Sequence, residues 1–223
     1  MQFARALKFF FSDDHWFRKV LIVAACQFIP ILGSAAATGW ALHICRRVIR
    51  GEKDEAPKFN FRRQLPDGLA VWGIGLAYLL PAAALLGAGG ILSALIFPAG
   101  SAGAPAAFDS YWWGIELLAV ALLLGGAMGA VAAVGRFAAA GSCRAAFEFR
   151  EIVSTIRSTP MAFLQVLLLG LPLGLLALSG AAICGVGLFL TNACALGSWF
   201  HLAGQAHLLA AEKAASGSVP GRA

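Results

Sequence analysis

The chain has 223 residues, of which 60% are apolar and 13% charged, against the roughly 25% charge of a soluble domain. A soluble fold of this length cannot cover so much apolar surface. The net charge of +6 comes without any nucleic-acid recognition signature, and the basic residues lie in short segments beside apolar runs. Orientation in a bilayer and attraction to anionic lipid explain that placement, so no nucleic-acid partner is expected. The five cysteines (Cys26, Cys45, Cys143, Cys184, Cys194) are odd in number, with no Cys-x-x-Cys pair and no metal-ligand spacing. Most sit in or beside apolar runs, where a thiol acts as a small hydrophobe.

Residues 2–11 place Phe3, Ala6, Leu7, Phe10 and Phe11 on one helical face, with Arg5 and Lys8 opposite. This is the pattern of an interfacial helix. Ser12, Asp13 and Asp14 then offer a new helix start. The first apolar run, Val20–Ile44, is interrupted by Pro30 and Gly33. Ser34-Ala35-Ala36-Ala37 resembles a signal cleavage site, but Asp13 and Asp14 in the leader and the apolar sequence after the supposed cut argue against cleavage.

Residues 45–68 form a connection with seven basic residues: Arg46, Arg47, Arg50, Lys53, Lys58, Arg62 and Arg63. From Leu69 to Ala107 there is no charge, and from Met161 to Ala211 there is again none. Each stretch exceeds the ~20 residues needed to cross hydrocarbon, and the second can cross twice. A β-barrel would show short segments of alternating polarity instead. A span over 69–97 carries Pro81 as a kink. The connection 98–111 lacks Lys and Arg, and Tyr111, Trp112 and Trp113 form an interface belt opening a third span to about Gly135. Residues 136–160 hold Arg136, Arg144, Arg150 and Arg157, and within them Phe149, Ile152, Val153 and Ile156 share one arc of a second interfacial helix. Thr159-Pro160 starts the next helix, and Cys184-Gly185-Val186-Gly187 splits the last run in two.

The expected fold is all-α: a polytopic helical membrane protein with about six membrane helices, the first two short, plus two interfacial amphipathic helices. One membrane domain covers 1–211, with a diverged internal repeat (1–97 and 136–211), and a disordered cytoplasmic tail covers 212–223. The positive-inside rule places 45–68, 136–160 and both termini in the cytoplasm of a cell inner membrane. Two cytoplasmic segments cannot be joined by one crossing. Val20–Ile44 is therefore expected to be a hairpin turning at Pro30–Gly33, with arms at about 14–29 and 32–49; a single span with the N-terminus outside is the alternative.

Several short motifs resemble an uncharacterised family of bacterial and archaeal multi-pass membrane proteins, the domain of unknown function 4013. They are Trp16 with Lys19, Ile29-Pro30-Ile31-Leu32-Gly33, Gly39-Trp40, Arg47-Val48-Ile49-Arg50-Gly51-Glu52 and Asp67-Gly68-Leu69. In the second half come Phe147-Glu148-Phe149, Pro160 and His201-Leu202-Ala203-Gly204-Gln205-Ala206. Where the family tends to carry a Leu-Pro-acidic-aromatic stretch, this chain reads Ala56-Pro57-Lys58-Phe59-Asn60-Phe61. The resemblance implies a six-helix membrane domain and points to no particular activity.

Few groups inside the apolar runs are polar. Glu116, one turn past Trp112-Trp113, is an intramembrane carboxylate and a candidate for ion coupling, although near the interface it reaches water. His201 and Gln205 share a helix face and suit interhelical or mutual hydrogen bonding. His43 and Asn192 read as paired buried polar groups. Gly125, Gly129 and Ala133 form one small-residue ridge, and Gly170 and Gly174 another. No catalytic, cofactor or metal residues are expected, because no nucleophile–base arrangement is legible.

Candidate lipid-headgroup contacts are Arg46, Arg47, Arg50, Arg62, Arg63, Arg144, Arg150 and Arg157; candidate helix breaks are Pro30, Gly33, Pro81, Gly185 and Gly187. The favoured reading is a non-enzymatic membrane module that binds anionic lipid or a protein partner, a second copy included. The alternative is a small permease whose broken helices line a polar path with Glu116, Asn192 or His201.

Overall fold

The long uncharged runs become helices because a chain rich in Leu and Ala satisfies its backbone internally. The computed structural model describes residues 6, 9, 14–52, 55–96, 106–182 and 186–217. Among these residues there are seven α-helices and no strand. They are α1 (Trp16–Cys26), α2 (Leu32–Ile49), α3 (Phe61–Ile96), α4 (Ala106–Ala140), α5 (Phe149–Ser158), α6 (Pro160–Ser179) and α7 (Val186–Gly217). Short 3-10 turns at Cys143–Phe147 and Gly180–Ala182 lead into α5 and α7. The interfacial helix at 2–11 (apart from Ala6 and Phe9), the connection at 97–105, the break at Gly185 and the tail from 218 lie outside the described residues.

Among the described residues, three helical stretches, rather than six, are long and apolar enough to cross a membrane: Phe61–Leu92, Trp112–Ala140 and Pro160–Ala182. The other three fall short for separate reasons. Helix α1 has 11 residues, about 16 Å of rise against ~30 Å of hydrocarbon. Helix α2 ends on Arg46 and Arg47, and α7 carries Asn192, His201, Gln205 and His207. Several boundaries also move. Helix α3 begins at Phe61, eight residues before the expected Leu69, and runs unbroken through Pro66 and Pro81, so Pro81 does not end it. Helix α7 continues through Glu212 to Gly217, where a disordered tail was expected.

The helices sort into an inner and an outer set. Helices α2 and α7 pack on each other and on most of the rest, and they bury Ala35, Ala36, Ala37, Trp40, Leu42, Phe200, Leu202, Ala203 and Ala206. The outer helices show the opposite pattern. Within the 18-residue apolar core of each of the three spanning stretches, only 17%, 33% and 22% of the residues are buried. Leu76, Leu95, Trp113, Leu117, Leu171 and Leu175 all stand exposed. An apolar wall around an interior of small residues is what hydrocarbon as solvent selects.

The tightest crossing joins α2 to α3. A Cβ on Gly39 would meet the carbonyl oxygen of Gln64, and one on Gly68 would meet that of Ala35, so only glycine lets the two backbones touch. The expected ridges are used unevenly. Gly129 faces the Tyr78 ring and Gly170 faces Trp199, whereas Gly125 and Gly174 face open space. Residues 16–49 do form a helix–turn–helix. Its turn runs through Pro30, with Ile31 at a φ of 63°, and Gly33 sits against the Cys26 carbonyl.

Candidate functional site

Three groups of polar side chains stand out among the described residues. The first is at the turn of the α1–α2 hairpin. Gln27, buried at the end of α1, accepts from Asn192 Nδ2 at 2.6 Å and donates to the Phe189 carbonyl at 3.3 Å. The two amides answer each other inside an apolar surrounding and lock the hairpin turn to α7. Gln27→Leu alone should strand the Asn192 amide and cost about 1 kcal/mol of stability. Gln27→Leu with Asn192→Leu should recover most of that loss. Thermal unfolding in mild detergent checks both, and strictly additive losses would show that the amides do not act as a unit.

The second place is the middle of α7. Gln205 Nε2 lies 3.1 Å from His201 Nδ1, as the four-residue spacing predicts, and the Phe9 ring stacks on the imidazole at 5.1 Å. Glu116 lies half-buried in the first part of α4. Among the described residues, Glu116, Asn192 and His201 are not in the lining of the basic cleft at the other end of the bundle described below.

The third place is the end of the bundle where α2 and α4 finish and α3 begins. Helix α2 stops in a Schellman turn: Glu52 N donates to the Arg47 carbonyl at 3.0 Å and Gly51 N to that of Val48 at 3.1 Å, with Gly51 at a φ of 64°. The chain then returns through residues 55–60, clamped from three sides. Lys19 Nζ donates to the Ala56 carbonyl at 2.7 Å, Trp40 Nε1 to Pro57 at 2.9 Å and Gln64 Nε2 to Lys58 at 3.2 Å. Asn60 caps α3 through the Arg63 backbone N–H at 3.3 Å.

Between these elements opens a cleft of about 630 Å³, lined by Arg46, Arg47, Arg50, Lys58, Arg63, His43, Glu52, Asp67 and residues 138–141 at the end of α4. Arg46 grips Asp67 with both terminal nitrogens, at 2.6 and 3.3 Å, and lies over the Phe137 ring. His43 Nε2 is 3.2 Å from the same carboxylate but off the hydrogen-bond direction. Arg47 bonds Glu52 at 3.1 Å and the Glu55 carbonyl at 2.9 Å. Of the eight arginines expected to meet lipid headgroups, Arg46 and Arg47 are thus committed to protein partners. Arg50, Arg62, Arg63, Arg144, Arg150 and Arg157 are exposed at this end of the bundle. Arg136, which sequence alone left unassigned, ties α4 to the segment before α5 through Glu148 at 2.6 Å and the Ala145 carbonyl at 3.2 Å.

Among the described residues no three His, Cys, Asp or Glu side chains converge as metal ligands would. Two key residues went unnoticed in the sequence. Gln27 is the only amide in an otherwise apolar run, a signal that was there to read. In the sequence Asp67 enters only as part of a resemblance motif, and only the register of α2 against α3 reveals it as the partner of Arg46.

The class defined by these features is a helical protein with three helices of membrane-crossing length and apolarity and a basic cleft at one end of its bundle. Within that class the chain belongs to the DUF4013 family, described as a protein of unknown function, which matches residues 22–191. No curated protein and no solved structure is significantly similar to it.

Proposed function

We propose that this chain is a non-enzymatic, multi-pass module of a cell inner membrane that presents its basic end to the cytoplasm and binds anionic lipid there. One observation carries the reading: the positive charges gather at a single end of the bundle. No Lys or Arg occurs at 20–45, 64–135 or 158–212, so the far ends of all the helices lack them. The Lys19–Ala56 bond brings the start of α1 to the basic end, where α2 finishes. Both arms of the hairpin therefore begin and end on one side, as the positive-inside rule requires of two basic segments.

In this reading six helices lie in the bilayer. Helices α2 and α7 need not be strongly apolar, since their polar groups face the bundle interior, and the short α1 reaches inward only as far as Asn192. The permease alternative would need a polar path lined by Glu116, Asn192 or His201. Asn192 and His201 instead have amide partners in Gln27 and Gln205, which favours the module.

Labelling with a membrane-impermeant maleimide tests the topology. Cys143, exposed at the basic end, should react in inside-out vesicles and stay protected in intact cells. Ala181→Cys, exposed at the opposite end, should show the reverse. Reaction of both positions from the same side would rule the reading out.

A further inference from the structure

The basic cleft holds more positive charge than its own packing uses. Of its five cationic side chains, Arg46 is neutralised by Asp67 and Arg47 by Glu52. Arg50 is 3.7 Å from a Glu52 already taken by Arg47, and it is 67% exposed. Among the described residues no carboxylate pairs with Lys58 or Arg63. Helix ends do not explain these three as a group. Cations are favoured where α2 and α4 finish, and Arg46 and Arg47 already fill that role. Arg63, however, sits in the first turn of α3, where the helix dipole opposes a cation and favours an anion. The backbones carrying the three are also fixed in advance: Arg50 by the Schellman turn, Lys58 by the clamp on residues 56–58, and Arg63 by the Asn60 cap.

We infer that this cleft is a phosphate-recognition site, in which Arg50, Lys58 and Arg63 enclose a phosphate group of about two negative charges, such as a phosphomonoester headgroup. A cleft of about 630 Å³ is within the ~300–1,000 Å³ of ordinary ligand sites, and fixed donors lose little freedom on binding. The inference rests on the reading above in placing the cleft at the level of the cytoplasmic headgroups. It goes further in making recognition selective for one headgroup chemistry rather than for any negative surface.

The test uses the full chain in phosphatidylcholine nanodiscs, titrated calorimetrically with dihexanoyl phosphatidic acid, dihexanoyl phosphatidylglycerol and pyrophosphate. Phosphatidic acid should bind at least tenfold more tightly than phosphatidylglycerol. R50A/K58A/R63A should weaken it at least tenfold, while K213A, an exposed cation outside the cleft, should leave it unchanged. The three cleft residues are exposed, and an unaltered melting midpoint without ligand confirms the fold; if the triple variant does not fold, R63Q alone should still weaken binding severalfold. Pyrophosphate binding as tightly as phosphatidic acid would support a phosphate site whose source is soluble, and binding of the lipid alone would assign it to the bilayer. Wild-type affinity in the cleft variant, or equal affinity for the two lipids, overturns the inference. Should the maleimide pattern hold while phosphatidic acid goes unbound, the cleft inference fails and the membrane reading stands.

Discussion

Gly39→Ala and Gly68→Ala should each leave the chain unable to reach its native packing. At both positions the added methyl meets a backbone carbonyl of the facing helix, that of Gln64 or Ala35, and a backbone cannot rotate away as a side chain can. The helices must separate, and the contacts around Trp40 and Ile74 are lost with them. Overpacking at a site that cannot yield costs about 3 kcal/mol or more, a large part of a typical stability of ~5–15 kcal/mol. The expected result is little monodisperse protein on size-exclusion chromatography, or a sharply lowered melting midpoint. Gly73, Gly75 and Gly87 supply the control, since a Cβ there meets nothing within 4 Å. Alanine at those positions should be neutral or gain up to about 1 kcal/mol. A Gly39→Ala protein that melts like wild type would show that α2 and α3 do not cross this closely.

The same crossing explains why scattered motifs were readable and their purpose was not. Gly39-Trp40, Arg47–Glu52 and Asp67-Gly68 are far apart in sequence, yet they meet at one junction. Gly39 packs against α3 beside Gly68, Trp40 holds the returning loop at Pro57, Gly51 ends α2, and Asp67 reaches back to Arg46. Short motifs can be recognised one at a time; their convergence depends on helix register, which no local pattern encodes. The hairpin was legible because charge and Pro/Gly placement are local signals, and so was the His201–Gln205 pair, which needs only a four-residue spacing.

Helix number was harder to read, for a physical reason. Hydropathy measures how well a segment suits lipid by itself, whereas α2 and α7 are surrounded largely by other helices. Their Thr38, Ser198 and His201 are buried in protein, so the apolar residues of these segments serve packing between helices and do not by themselves mark a membrane span. Small-residue ridges mislead in the converse way. Gly125 looked like a packing residue and faces open space, while its neighbour Gly126 lies against the Tyr78 carbonyl. A shift of one residue turns a helix by about 100°, which is enough to exchange a contact for a lipid-facing surface.

Asp67→Asn should separate stability from ligand binding at the cleft. The carboxylate neutralises Arg46, and the two side chains are only 14% and 22% exposed, with His43 close by. Removing one partner of a fully buried ion pair costs about 3–5 kcal/mol; partial exposure here reduces the expected loss to about 2 kcal/mol. Arg46→Met with Asp67→Leu removes both charges and keeps apolar bulk beside Phe137, so that pair should regain most of the lost stability. The effect on phosphate binding has the opposite sign. Without Asp67 the cleft keeps all five cations against Glu52 alone, and Arg46 is freed to turn toward the opening. Asp67→Asn should therefore lower the melting midpoint while binding phosphatidic acid severalfold more tightly, and the double variant should bind it no better than wild type. Weaker binding by Asp67→Asn would mean that the Arg46–Asp67 pair shapes the cleft mainly through its geometry, and that the field of the remaining cations does not control affinity.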